Sequence, residues 1–464
     1  MAETRREQDS LGPVEIPSGM LYGPQTARAV ANFPISGRAM PRRFIVALGL
    51  IKQAAAEAHR KAGRLDERIA KAIVQAAEEV IAGKLHEHFP VDVFQTGSGT
   101  SSNMNANEVI ANRAIQILGG KVGDKSLVHP NDHVNMGQSS NDVIPAAIHV
   151  SAAIAIRDEL VVALQSLAES LRRKAEEFDG IVKIGRTHLM DAVPIRLGQE
   201  FSGWAAQVND VLGMLDQAAS GLHNLAIGGT AVGTGLNAPN GFAAEVCKML
   251  SDRTHLAFRE TPNHFAQQGA KDAVLFVSAA LRNVAIAMGK VASDIRLLGS
   301  GPRCSLGELL LPAVQPGSSI MPGKVNPVIC ESVIQVACQV VGCDAAIAAG
   351  ATGGVGSLLE LNLAMPMIAW NLLTAIELLT GAAKAFSQKC VAGIRADESR
   401  CRELIEQSLA MVTALAPRIG YDAAAEIAKE AYQTGKTVRQ VCLEKKAVPE
   451  PELNGLLDPR KQTR

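Results

Sequence analysis

Five short stretches of this chain combine glycine or proline with a high density of hydroxyl, amide, imidazole or ammonium groups. Each is the kind of segment that can hold an anion or move a proton. The fifth, PGSSIMPGKVNP at 316–327, places Ser318, Ser319, Lys324 and Asn326 inside a frame of two glycines and three prolines. Gly317 and Gly323 offer hinge points, so the segment reads as a mobile loop presenting polar groups. A plain surface loop rarely carries such a pattern immediately before an apolar helix, and function is the better reading here.

The second island, HPNDHVNMGQSSND at 129–142, can hydrogen-bond at almost every position and also precedes an apolar helix. Ser139, Ser140 and Asn141 read as groups that hold a substrate. The third, GRTHLMDAVP, contains Thr187 beside His188. A lone histidine in a helical protein is more often structural, and its placement at a break before a long helix raises the functional odds only modestly. The first, QTGSGTSSNMNANE at 95–108, offers the hydroxyls of Ser98, Thr100, Ser101 and Ser102 together with amides at a predicted helix start. That combination suits a carboxylate or phosphate, although by itself it is better read as a helix N-cap region. No G-K-[ST] follows, so it is not a phosphate loop. Gly97 and Gly99 lack the third glycine and the preceding strand of a dinucleotide fingerprint. The fourth, GGTAVGTGLNAP at 228–239, has four glycines and reads as tight backbone packing.

Long helices must position these islands. Apolar residues at Val274, Val277, Leu281, Val284, Met288, Val291, Ile295 and Leu298 alternate spacings of three and four, the seam of a bundle. Phe276, Ile286 and Leu297 lie off that seam, which predicts burial on more than one side. From Pro145 to about Phe178 no glycine or proline interrupts the pattern; at 1.5 Å per residue such a helix is roughly 50 Å long. Further long helices are predicted over about 193–220, 326–350 and 362–388, and shorter ones over 44–62, 65–83 and 421–432. Aromatic residues are only 3% of the chain, which disfavours a sheet-based fold. The expected fold class is therefore all-α, with a mixed N-terminal region over 1–138, a central long-helix bundle over 139–392 and a small helical region over 393–464.

The 464 residues carry 46 basic and 46 acidic side chains. This balance supplies no overall field toward nucleic acid or anionic lipid, so attraction for an anionic substrate must be local. The polar start, MAETRREQDS, lacks a signal-peptide core, and no stretch is read as apolar for the length of a membrane span. The eight cysteines form no C-x-x-C pair and read as reduced structural residues of a cytoplasmic protein without a zinc site.

The 316–327 segment resembles the signature of the fumarase/aspartase superfamily, and the other islands match that family in the same order. The likeness extends to DSLGPVEIPSGMLYGPQT near the start and MVTALAPRIGYDAAAEIAK near the end. With G-K-V-N-P after Met321–Pro322, it points to the branch that holds fumarases and aspartases. GRTHL has histidine where aspartases typically have glutamine, and so resembles class II fumarases. The resemblance implies reversible hydration of fumarate to (S)-malate without metal or organic cofactor, and a homotetramer whose sites are each drawn from three chains. It implies Ser318 as general base, His188 acting on the leaving hydroxyl through water, Glu331 orienting His188, and Lys324 and Asn326 on the carboxylates. It places Ser98, Gly99, Thr100, Ser139, Ser140, Asn141, Thr187, Ser319 and Val325 around the substrate, with a second anion site at His129, Pro130, Asn131 and Asp132.

Two positions depart from the family. Ser126 stands where many fumarases have arginine, which puts the second site in question, and Met136 stands where lysine is common. Two other functions are weighed. An aspartate ammonia-lyase is opposed by His188. An inactive relative serving as a binding or structural protein is opposed by the complete set of Ser318, Lys324, Asn326, His188 and Glu331.

Overall fold

The predicted helices form where alanine- and leucine-rich runs are free of breakers, and they end where capping chemistry permits. The computed structural model describes residues 3–463. Helices Arg42–Lys61 and Glu67–Ile81 follow one another, the second started by Asp66, whose carboxylate accepts the N–H groups of Arg68 and Ile69. Leu197–Ala219, Asp272–Leu298, Val328–Ala351 and Met365–Lys389 are the other long helices foreseen. Among the described residues the sheets are five two-stranded ones, so the fold is mainly helical, as expected.

One helical run starts earlier than its sequence suggests. Ser140–Ala155 begins five residues before Pro145 and continues through a π-helical turn, Ile156–Leu160, into Val161–Glu177. A capping box at Ser139 and Asp142 nucleates it, and a single proline in the second turn is tolerated there.

Contacts group the chain into two compact units. The first comprises Met1–Val162, Gly213–Ala285 and Cys338–Thr380. Its core is mostly aliphatic, with Leu48, Ile51, Ile73, Ile110, Ile144 and Ile148 buried alongside Phe44. Two buried charged groups here are well partnered. The Glu108 carboxylate accepts the N–H groups of Gly23, Gln25 and Thr26 at the start of helix Pro24–Asn32. Lys52 donates to the side-chain oxygens of Asn135 and Gln138, both at 2.9 Å. Burial pushes the Lys52 ammonium down to about 7, with the charge of Asp142 opposing the shift.

The second unit comprises Ala163–Leu212, Ile286–Ala337 and Gly381–Arg464. Here a hairpin, Val182–Thr187 with Met190–Arg196, brings Val182 into a cluster with Ile405, Met411, Leu415, Ile427, Val441 and Leu453. Trp204 Nε1 donates to Asp294 Oδ2 at 3.1 Å, tying two long helices within this unit.

The seam of Asp272–Leu298 is buried at all eight expected positions. Phe276, Ile286 and Leu297, by contrast, are 55%, 53% and 41% exposed, so burial on several sides does not hold within one chain. The expectation that no stretch is apolar enough to span a membrane is also corrected. By length and composition three helices are: Asp272–Leu298, Val328–Ala351 and Met365–Gly393. Small residues keep their mean hydropathy high through isolated polar positions, which a search for unbroken apolar runs passes over.

Candidate active site

In the first unit, two islands converge on a line of hydroxyls. Gly99, in the left-handed conformation at φ 73°, starts helix Thr100–Ile117. Gly97 cannot carry a side chain, because a Cβ there would lie 2.0 Å from the Leu363 carbonyl oxygen. This turn sets Ser98 Oγ 2.7 Å from Thr100 Oγ1, which is in turn 2.7 Å from Ser140 Oγ. Ser140 Oγ reaches Asn141 Oδ1 at 3.4 Å. Four residues foreseen from two islands thus form one polar row.

Ser139 has a more local duty. It is the N-cap of its helix, and its hydroxyl accepts the Asn141 N–H at 3.2 Å. The sequence reading missed the residue that fixes this corner, Asp142. Its buried carboxylate accepts the N–H groups of Ser139 (2.9 Å), Gly228 (2.9 Å) and Thr230 (3.0 Å). Asn141 Nδ2 donates to the Ala231 carbonyl at 2.7 Å. The glycine-rich fourth island is therefore the platform under the second, in keeping with its structural reading. The S-x-x-D spacing at 139–142 was the signal available for Asp142.

The residues from His129 to Asp132 form a self-contained turn, with Pro130–Val134 in a π-helical conformation. His129 Nδ1 accepts the N–H groups of Asn131 (3.2 Å) and Asp132 (3.1 Å). Asp132 Oδ2 lies 3.2 Å from the same nitrogen. A cavity beside His129, Pro130 and Asn131 is lined also by Glu7, Asp9, Glu108 and Lys125. Carboxylates outnumber the cation there, which disfavours an anion. Ser126 turns away, its hydroxyl donating to Asp124 Oδ1 at 2.6 Å. Met136 offers its backbone carbonyl to His59 Nε2 at 2.7 Å.

In the second unit Thr187 and His188 are exposed at the tip of the hairpin, rather than at a simple break before a helix. His188 and Leu189 form a two-residue turn with φ of 56° and 62°. Positive φ at both central positions is the turn geometry that matches strand twist, and it normally selects asparagine and glycine. Holding histidine and leucine there is a strained choice of the kind that clusters at functional positions.

The 316–327 loop closes at its neck. Gly317 N–H donates to the Lys324 carbonyl at 2.9 Å, and Asn326 Nδ2 donates to the Gly317 carbonyl at 2.6 Å. A Cβ on Gly317 would lie 2.3 Å from the Lys324 oxygen, so the neck demands glycine. Inside it, Ser318 Oγ accepts the N–H groups of Ile320 (3.2 Å) and Met321 (3.1 Å). Two amides aimed at one hydroxyl oxygen stabilise negative charge on it. Ser319, Lys324 and Val325 are exposed, and Glu331 is half-buried in the first turn of Val328–Ala351. Among the described residues no hydrogen bond or ion pair joins Thr187 or His188 to this loop.

The chain's relatives are consistent in kind. The model of a lyase family matches residues 12–342, and that of a fumarase C C-terminus matches 411–464. A class II fumarate hydratase of Bradyrhizobium diazoefficiens is 51% identical, covering 99% of this chain and 97% of its own length. One from Halobacterium salinarum is 54% identical over 99% and 97%. A mitochondrial fumarate hydratase of Saccharomyces cerevisiae is 49% identical over 97% and 92%. Among solved structures, a recombinant class II fumarase from Schistosoma mansoni superposes with a TM-score of 0.94 at 39% identity, covering 98% of each chain. A cobalt-bound fumarate lyase:delta crystallin from Brucella melitensis gives 0.95 at 45% identity, covering 99% of each.

Proposed function

The chain belongs to the fumarase/aspartase superfamily, in its class II fumarate hydratase branch, and from that premise we propose that its polar islands build the site where fumarate is reversibly hydrated to (S)-malate. The observation that carries this reading is near-full-length identity of about half to class II fumarate hydratases, with histidine at 188. It is a lyase acting on a small dicarboxylate.

Dehydration of malate removes a weakly acidic proton next to a carboxylate and generates a doubly charged aci-carboxylate. Ser318 is the base. Its hydroxyl is a poor base until an alkoxide is stabilised, and the Ile320 and Met321 amides supply that stabilisation. Lys324 and Asn326 hold the carboxylates; one Asn326 N–H closes the loop and the other is left for substrate. The row Ser98, Thr100, Ser140 and Asn141, together with the capping Ser139 and the backbone of Gly99, orients the substrate, joined by Thr187, Ser319 and Val325. His188 protonates the departing hydroxyl through a water, with Glu331 orienting it. The His129–Asp132 turn is a second, weaker anion site at most, given the carboxylates around its cavity.

The working form is a homotetramer in which each site combines segments of three chains. Support comes from the exposed groups themselves. Leu189, Met190 and Ile320, flanking His188 and Ser318, are 76%, 70% and 84% exposed in the single chain. Large apolar side chains placed beside the reacting groups are suited to burial against neighbouring chains.

The direct test follows the ultraviolet absorbance of the fumarate double bond with malate, then with aspartate, each with and without a chelator. Absorbance should rise with malate alone and be indifferent to chelation. Turnover of aspartate alone, or of neither, would overturn the assignment. Activity lost to chelation and restored by one divalent metal would overturn its metal independence.

A further inference from the structure

The hairpin that carries His188 buries more charge than a two-stranded ribbon requires. Lys183 is fully buried; its ammonium donates to the Ile184 carbonyl (2.9 Å) and to Glu200 Oε1 (3.1 Å) and lies 3.5 Å from Glu308 Oε2. Glu308, also fully buried, receives both arms of the Arg186 guanidinium, at 2.7 and 3.1 Å. Two basic and two acidic side chains thus form one quartet, in which Glu200 Oε2 is buried without a hydrogen-bond partner among the described residues. Well-packed apolar residues would serve stability as well or better, so a buried quartet calls for a reason other than stability.

The hairpin is irregular where it forms. Lys183 and Arg186 are three residues apart and in a regular strand would face opposite sides. The register shifts between Ile184 and Arg186, where Ala192 and Val193 of the opposite strand face Gly185 alone, and Lys183 and Arg186 both reach Glu308 Oε2. Gly185 permits this, since a Cβ there would lie 2.8 Å from the Val193 carbonyl oxygen. Glu308 is a fixed post. Its N–H donates to the Leu298 carbonyl and its carbonyl accepts the Asp397 N–H, both at 2.9 Å. Beyond it, Leu309–Leu310 pairs with Arg395–Ala396, and the chain then runs directly into the Ser318 loop. On the other side, Thr187 and His188 follow Arg186 without a break.

We infer that Lys183, Arg186 and Glu308 are positioning residues, which turn the His188 tip and lock it to the stem of the Ser318 loop. This rests on His188 being the proton-transfer group of the proposed hydration. The fork between Arg186 and Glu308 fixes orientation as well as distance, which a single ammonium would do less well.

The test measures malate dehydration by full-length wild type, Arg186→Gln, Arg186→Lys and Gly185→Ala, with folding followed by circular dichroism. Arg186→Gln should lower kcat by roughly 10- to 100-fold with KM changed no more than about threefold, because small displacements of a reacting group act on the chemical step. Arg186→Lys should recover part of that loss. Gly185→Ala should reproduce it by an independent route. Arg418→Gln, which breaks only an exposed pair with Glu452, should match wild type. Unchanged kcat in Arg186→Gln and Gly185→Ala would overturn the inference, as would losses that equal the unfolded fraction. If Arg186→Gln does not fold, Arg186→Lys and Gly185→Ala decide by the same criterion. An inactive wild type would instead defeat the proposed function.

Discussion

At the scale of single residues, the chemistry divides between groups that were conspicuous and groups that were hidden. His188 stands out through the family resemblance rather than by its residue type alone, and its placement on a strained, exposed turn fits a group that must meet water and substrate. His188→Asn should lower turnover on the order of 100- to 10,000-fold while binding weakens far less, the range expected for a general acid or base. Steady-state rates with malate check this, and a variant within a few-fold of wild type would reduce His188 to a structural residue. Asp142 was hidden, because its three N–H partners come from two islands about 90 residues apart in the chain. Nothing in a linear reading links Gly228 to Ser139.

At the scale of elements, the hydroxyls proposed to hold substrate are only as well placed as the helix starts beneath them. Asp142→Asn keeps the shape of the capping carboxylate but loses its charge and one acceptor. Hydrogen bonds to charged groups contribute about 1.5–3 kcal/mol, so the variant should melt several degrees lower and bind malate more weakly. Thermal melts and KM measure the two effects; a variant with both unchanged would remove Asp142 from the account. The same scale shows what the sequence could disclose. The long helices were legible to within a few residues, since their three-and-four seams are local. The start at Ser140 was misplaced because Pro145 is a strong local signal, while the capping box that overrides it is a quieter one. The hairpin beneath His188 was missed altogether. Its anchoring partner Glu308 lies 122 residues from Arg186, and its bulge leaves no mark in composition. The Ser318 loop was legible as functional, but its closed neck emerges only in three dimensions.

At the scale of the whole molecule, the prediction is that one site needs more than one chain. If Ser318 and His188 of a site come from different chains, tetramers of Ser318→Ala and of His188→Asn should each be nearly inactive. Mixed at equal amounts, each residue is intact half the time, so about a quarter of the sites in hybrids should work. Co-refolding the two variants and assaying malate dehydration checks this, and verified hybrids without recovered activity would return both residues to one chain. The uncovered faces of the long helices carry one more consequence. If Phe276, Ile286 and Leu297 find their cover only on another copy, the folded state is linked to association by mass action. Its melting point then depends on how much protein is in the tube, and dilution alone would disarm the enzyme well before any chain unravels.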